Sequence, residues 1–148
     1  MISPVPCRSC FAVTSIYRRC LLVMGVVCGS VVLTTAVLAA EHTSDSIETV
    51  QTRLTEKTAV LVDVREIAEW DAGHLQQARH VALSALADDE QPEAALQKLP
   101  KDKIIYCHCR SGSRCLKAAD ILKKAGYDVR PLKQGYKDLL EAGFPKAE

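Results

Sequence analysis

Apolar positions divide the chain into one unbroken run followed by a series of short, differently spaced ones. From residue 20 to residue 40 no side chain is charged, and leucines and valines such as Leu21, Leu22, Val26, Val31, Val32 and Leu38 dominate. As a helix that run would extend about 31 Å, enough to cross a bilayer. Beyond residue 40 the spacing becomes that of a folded domain. Ile47, Val50 and Leu54 share one face of a helix, with Asp45 as its expected cap and Glu48 three positions on. Ala59-Val60-Leu61-Val62 is a short β-branched run and reads as a strand buried on both faces. Residues 66–72 predict a short helix stopped by Gly73, and residues 78–82 a second brief strand. Residues 84–99 hold one or two helical pieces, broken near Pro92 and ended by Pro100. A strand follows at 103–107. Next comes a helix over 114–125, with Leu116, Ala119, Ile121 and Leu122 inside and Gly126 as its stop. Residues 128–132 give a last strand and 136–141 a last helix. Strands alternating with helices imply βαβ units: an α/β fold with a mainly parallel sheet covered by helices on both faces.

Charge changes the picture at the N-terminus. The formal net charge is only +1 over 148 residues, so nothing points to nucleic acid as a partner. Residues 1–40 contain Arg8, Arg18 and Arg19 and no acid. Setting those three aside leaves 16 of the 19 basic residues against 18 acidic ones, a net of −2 for the rest. A basic flank, an apolar middle and the small residues Ala36, Ala39 and Ala40 have the form of an export signal. Cleavage is expected after Ala39 or Ala40; the alternative is an uncleaved anchor with its N-terminus inside. Either outcome places residues 41–148, one domain's worth of chain, outside the cytoplasm, in the periplasm or its equivalent.

Cysteine placement sharpens the chemistry. Cys7, Cys10, Cys20 and Cys28 fall in the leader, which leaves Cys107, Cys109 and Cys115 within nine positions of one another. An odd number so closely spaced would staple nothing distant, so these are not a structural disulfide framework. The strand at 103–107 delivers Cys109 into the loop Arg110-Ser111-Gly112-Ser113-Arg114, which runs straight into a helix. Strand carboxyl ends are where ligands sit in such folds. The geometry aims backbone N–H groups and a helix dipole at one sulfur, and Arg110 or Arg114 adds charge. Lowering a thiol pKa from about 8.5 to about 6.5 takes about 2.7 kcal/mol. A helix N-terminus contributes up to ~2 kcal/mol of that, and the arginines are expected to supply the rest.

Cys109-Arg110-Ser111-Gly112-Ser113-Arg114 followed by a helix resembles the active-site loop of rhodanese-type sulfurtransferases. Leu61-Val62-Asp63-Val64-Arg65-Glu66, with Glu69-Trp70 and Gly73-His74-Leu75, resembles the family's opening strand and the turn after its first helix. Leu132-Lys133-Gln134-Gly135-Tyr136, leading to Ala142-Gly143-Phe144-Pro145, resembles its closing segment. The three lie in the family's order over residues 45–148, and the small exported members called phage shock protein E also join a leader to a single domain. The resemblance implies that Cys109 is the nucleophile. It would take a sulfane sulfur from an anion such as thiosulfate or a polysulfide and pass it to a thiol or to cyanide. Arg110, Ser111, Gly112, Ser113, Arg114 and Cys115 would bind the substrate, and no cofactor is implied. Asp63 and Arg65 match the family's Asp-x-Arg and are expected to form a buried pair bracing the loop, the alternative being that they touch the substrate from the strand end.

Some positions keep two readings at this stage. Cys115 stands where family members often have Ser or Thr, and Cys107 lies outside the usual motif. Either could attack a Cys109 persulfide or sulfenic acid and close a disulfide, or both could be small buried residues. His108 on the strand points away from the Cys109 face and is expected in the core. His74 should serve a turn, while His42 and His80 carry no signal. A cysteine-dependent phosphatase or arsenate reductase is the sharpest rival, but those loops enclose five residues between Cys and Arg, and Cys109 and Arg114 enclose four. A metal site of Cys107, His108, Cys109 and Cys115 matches no common zinc spacing, and the two arginines would repel a cation. A non-catalytic sulfur carrier on the same fold is the third alternative.

Overall fold

The structure, a computed structural model, describes residues 39–88 and 92–148. Residues 1–38, with almost all of the proposed leader, lie outside the described residues. Among the described residues no helix is long and apolar enough to cross a membrane.

Four strands, β1 (Ala59–Asp63), β2 (Ala78–His80), β3 (Ile104–His108) and β4 (Val129–Pro131), pair in the order β2-β1-β3-β4. Every pairing is parallel. Among the described residues six helices connect and cover them: α1 (Ile47–Thr55), α2 (Ile67–Asp71), α3 (Leu83–Leu86), α4 (Pro92–Leu96), α5 (Ser113–Lys124) and α6 (Tyr136–Glu141).

Alternation along the two central strands sorts the core into two layers. Val62, Ile105 and Cys107 enter one cluster together with Cys109, Cys115, Ala118, Ala119 and Leu122, which places α5 on that face. Leu61 and Tyr106 enter the other with Val50, Leu132, Leu139 and Phe144, so α1 and α6 cover the opposite face. A two-residue period on a strand buried on both sides has this consequence, and neither face is left to solvent. Because every pairing is parallel, the strands share one carboxyl-end edge, where the loop after β3 emerges.

Element boundaries follow the sequence closely, with three instructive differences. The cap of α1 is Ser46 rather than Asp45: its Oγ accepts the Thr49 N–H at 3.2 Å. Asp45 is drawn away by tertiary partners, since its carboxylate accepts from Arg53 at 2.7 Å, Arg130 at 2.9 Å and the Tyr106 hydroxyl at 2.5 Å. Those contacts, Tyr106 foremost, hold the Asp45 carboxyl down at about 2. Strand β2 stops at His80 instead of residue 82, because the chain turns into α3 once Val81 has donated its N–H to the Asp63 carbonyl. Strand β3 runs one residue further than expected, to His108, so Cys109 is the first residue beyond the sheet. The region 84–99 does form two helices, and Pro92 opens the second, where its missing N–H costs nothing.

Candidate active site

The loop from Cys109 to Ser113 is held from beneath by the segment that leads into α6. The Cys107 carbonyl accepts the Leu132 N–H at 2.9 Å, and the Cys109 carbonyl accepts the Tyr136 N–H at 2.8 Å. Gly135 makes this approach possible. A Cβ there would lie 1.9 Å from the Arg110 carbonyl oxygen, inside any tolerable contact. Gly112 is the other enforced glycine. Its φ of +86° lies in the left-handed region, and a Cβ would meet the Lys133 carbonyl at 2.7 Å. That conformation turns the Gly112 N–H onto Cys109 Sγ at 3.1 Å, while its carbonyl accepts the Cys115 N–H at 3.1 Å. His42 Nε2 donates to the same carbonyl at 3.3 Å.

Cys109 is fully buried at the floor of this loop. Its thiol is nonetheless depressed from 9.0 to about 5. The Cys115 thiol contributes most to that shift, and the backbone N–H groups of Ser111, Arg114 and Cys115 add to it. Together they outweigh burial, which alone would favour the neutral thiol. The backbone N–H groups act as expected, but the remainder, expected from the arginines, comes from the Cys115 thiol instead. Arg110 is exposed. The Arg114 guanidinium is engaged by Glu69 in a two-point ion pair at 2.6 and 2.9 Å, and its interaction with Cys109 is a lesser one. Glu69 is held down at about 2 by that pairing.

Beside the loop lies an open cleft of about 530 Å³. Arg65, Arg110 and Lys137 line it with positive charge, Glu69 and Asp138 with negative, and Tyr136 stands between them. Arg65 reaches this wall from a buried pair. Its Nη2 and Nε donate to Asp63 Oδ2 at 2.6 and 2.9 Å, Nη2 also donates to the Gly73 carbonyl at 2.9 Å, and the guanidinium lies 4.2 Å over the Tyr136 ring.

These features have counterparts among known proteins. The family model described as "Rhodanese-like domain" matches residues 46–142. The chain belongs to the rhodanese-like family. The uncharacterized protein YqhL of Bacillus subtilis is 34% identical over 82 residues, 55% of this chain and 60% of that protein. A probable adenylyltransferase/sulfurtransferase of Mycobacterium tuberculosis, MoeZ, is 36% identical over 67 residues, 45% of this chain but 16% of its own length. The chain thus corresponds to only part of these curated relatives. Among solved structures, the human single-domain sulfurtransferase TSTD1 superposes with a TM-score of 0.56 at 29% identity, over 66% of this chain and 94% of that one.

Within this rhodanese-like domain the structure brings Cys109, Ser111, Gly112, Arg114 and Cys115 around a single sulfur. Ser113 opens α5 with an exposed side chain, and Arg110 turns to the cleft. Asp63 and Arg65 form the buried pair expected of them. His108 is fully buried on the opposite face, with Nε2 3.8 Å from Asp63 Oδ2. Burial holds its pKa below the ordinary histidine value, so at neutral pH that contact is not a charge pair. His74 serves its turn through Nδ1, which donates to the Trp70 carbonyl at 3.1 Å, and stacks on the Trp70 ring. Among the described residues no three His, Cys, Asp or Glu side chains are disposed to hold a metal ion. Sequence reasoning missed Glu69, His42 and the α6 residues of the cleft. The Glu69-Trp70 motif was a usable signal for the first and the closing Gly135-Tyr136 for Tyr136, while nothing local marks His42, Lys137 or Asp138.

Proposed function

We propose that this chain is an exported sulfurtransferase working through a persulfide on Cys109. The observation that carries the reading is the buried Cys109 sulfur just before α5, with the Gly112 N–H donating to it at 3.1 Å, an arrangement that favours the thiolate. The thiolate attacks the outer sulfur of a donor such as thiosulfate. The donor S–S bond breaks, sulfite departs with the electron pair, and Cys109 carries the sulfane sulfur. An acceptor thiol, or cyanide, then attacks that outer sulfur and restores the Cys109 thiolate. Splitting the transfer into two steps gives ping-pong kinetics. N–H groups already aimed at negative sulfur stabilise each charged species without reorganising, as an oxyanion hole does. Arg110, Arg65 and Lys137 give the cleft the charge to draw in an anionic donor.

The shared membership with TSTD1, a single-domain sulfurtransferase, supports sulfur transfer as the reaction class. Thiosulfate, polysulfide and low-molecular-weight persulfides are the proposed donors. Four residues between Cys109 and Arg114, rather than five, favour sulfur over a phosphoryl or arsenyl group. Export follows from the leader pattern, by analogy with phage shock protein E. N-terminal sequencing of protein from the periplasmic fraction should begin at Ala40 or Glu41.

Steady-state transfer from thiosulfate to cyanide tests the chemistry. Wild-type protein should release sulfite and thiocyanate with parallel double-reciprocal lines, and Cys109→Ser should lose the activity entirely. Hydrolysis of an aryl phosphate without any sulfite release would reverse the assignment.

A further inference from the structure

Three sulfurs meet behind the loop. Cys107 and Cys109 are two residues apart at the end of β3, so both face the α5 side of the sheet. Cys115 enters the same cluster from the first turn of α5. All three are free and fully buried.

They are not equivalent. Cys107 Sγ donates to the Cys115 carbonyl at 3.6 Å, which ties its proton to the helix backbone. Two residues along a strand also separate Cα atoms by about 6.6 Å with parallel Cβ bonds, at the far limit of what a disulfide spans. Cys107 is therefore badly placed to bond Cys109. The Cys115 thiol interacts with both neighbours, Cys107 and Cys109. Gly112 folds the loop back until the Cys115 N–H reaches the Gly112 carbonyl, and the Cys115 thiol faces the Cys109 sulfur.

We propose that Cys115 resolves a persulfide on Cys109, so that the domain also acts as a sulfane-sulfur reductase, releasing sulfide and closing a Cys109–Cys115 disulfide. This rests on the persulfide reading above. Cys115 sulfur attacks Cys109 Sγ, the bond between Cys109 Sγ and the outer sulfur breaks, and the outer sulfur leaves with the electron pair. The Cys115 proton goes to the departing sulfur, which leaves as hydrosulfide, HS−. Two cysteine thiols are oxidised to a disulfide, and the sulfane sulfur is reduced to sulfide. A dithiol reductant from outside then reopens the disulfide by exchange. The order of events is built in. While Cys109 is anionic, the neighbouring thiols, Cys107 first and then Cys109, together with burial push the Cys115 pKa up, so Cys109 rather than Cys115 is the resting nucleophile. Moving the charge onto the outer sulfur relieves the part of that suppression that comes from Cys109.

The test uses the full chain, reduced, freed of reductant and kept anaerobic, with thiosulfate as sole donor and no acceptor. Wild type should release sulfite and then about one sulfide per chain, and peptide mapping without reductant should show Cys109 joined to Cys115. Cys107→Ser should do the same. Cys115→Ser and Cys115→Ala, each judged folded by circular dichroism, should release sulfite more slowly than wild type, Ala the slower, because the Cys115 thiol is the largest support of the Cys109 thiolate; once loaded, both should retain a Cys109 persulfide and release no sulfide. A wild-type persulfide that persists with neither sulfide nor cross-link overturns the proposal, and so does sulfide release from Cys115→Ser. If no protein releases sulfite or gains a persulfide, the sulfurtransferase reading has failed first, and the inference falls with it.

Discussion

Two arginine–carboxylate pairs flank the loop, and they differ in the solvent around them. Asp63 and Arg65 are 0% and 6% exposed at the side chain, whereas Arg114 and Glu69 are 25% and 32% exposed. The inner pair makes three side-chain contacts and the outer pair two, and both have a shortest contact of 2.6 Å. Contact distance alone would not separate them. Solvent separates them, because a charge left alone in a dry site cannot recover its hydration, while one near the surface can. The inner pair belongs to the framework and the outer pair to the working edge of the site.

The largest effect expected from breaking this contrast is at Arg65. Arg65→Ala should cost about 3–5 kcal/mol in urea unfolding, since it leaves Asp63 buried and unpaired. A double replacement, Asp63→Leu with Arg65→Met, should recover much of that loss. If Arg65→Ala unfolds no more readily than wild type, the inner pair is not the framework element described above.

Acid provides the next test. A depressed carboxylate pKa contributes stability above its unfolded value and loses that contribution as pH falls toward the folded one. For Glu69 that window runs from 4.5 down to about 2. The Cys109 thiol, at about 5, takes up its proton before the outer pair opens. The rate of sulfite release should therefore fall about tenfold per pH unit below pH 5, with no loss of fold. In Glu69→Gln, Arg114 loses its counter-charge and favours the thiolate more strongly. The acid limb should then move lower, read from the ultraviolet absorbance of the thiolate. The smallest effect is on stability in that same variant, about 0–1 kcal/mol and diminished further by salt.

Much of this arrangement was legible in the sequence, and the reason is locality. Continuous apolar runs at 59–62 and 104–107 mark strands buried on both faces, and Cys109 to Arg114 announces a loop before a helix. These are patterns in neighbouring residues. What escaped notice depends on distant partners. Asp45 looks like a cap, yet Arg130, 85 positions away, competes for its carboxylate and leaves the cap to Ser46. Arg114 looks like an anion ligand until Glu69, 45 positions upstream, engages it. His42 has no motif at all and still bonds the loop carbonyl 70 positions on. The acidity of Cys109 was anticipated, but its main source was not. A thiol at 115 outranks the arginines because it is buried beside the sulfur, where a weak donor close at hand outdoes a strong one turned elsewhere.

The bare backbone at Gly135 extends the site's reach to the far end of the chain. A single methyl at that position would have to displace the Arg110 carbonyl, tilting the Gly112 N–H off its sulfur. The reactivity of Cys109 is thus moulded by a residue that never meets a substrate, and a search for inactivating changes confined to the loop would overlook it.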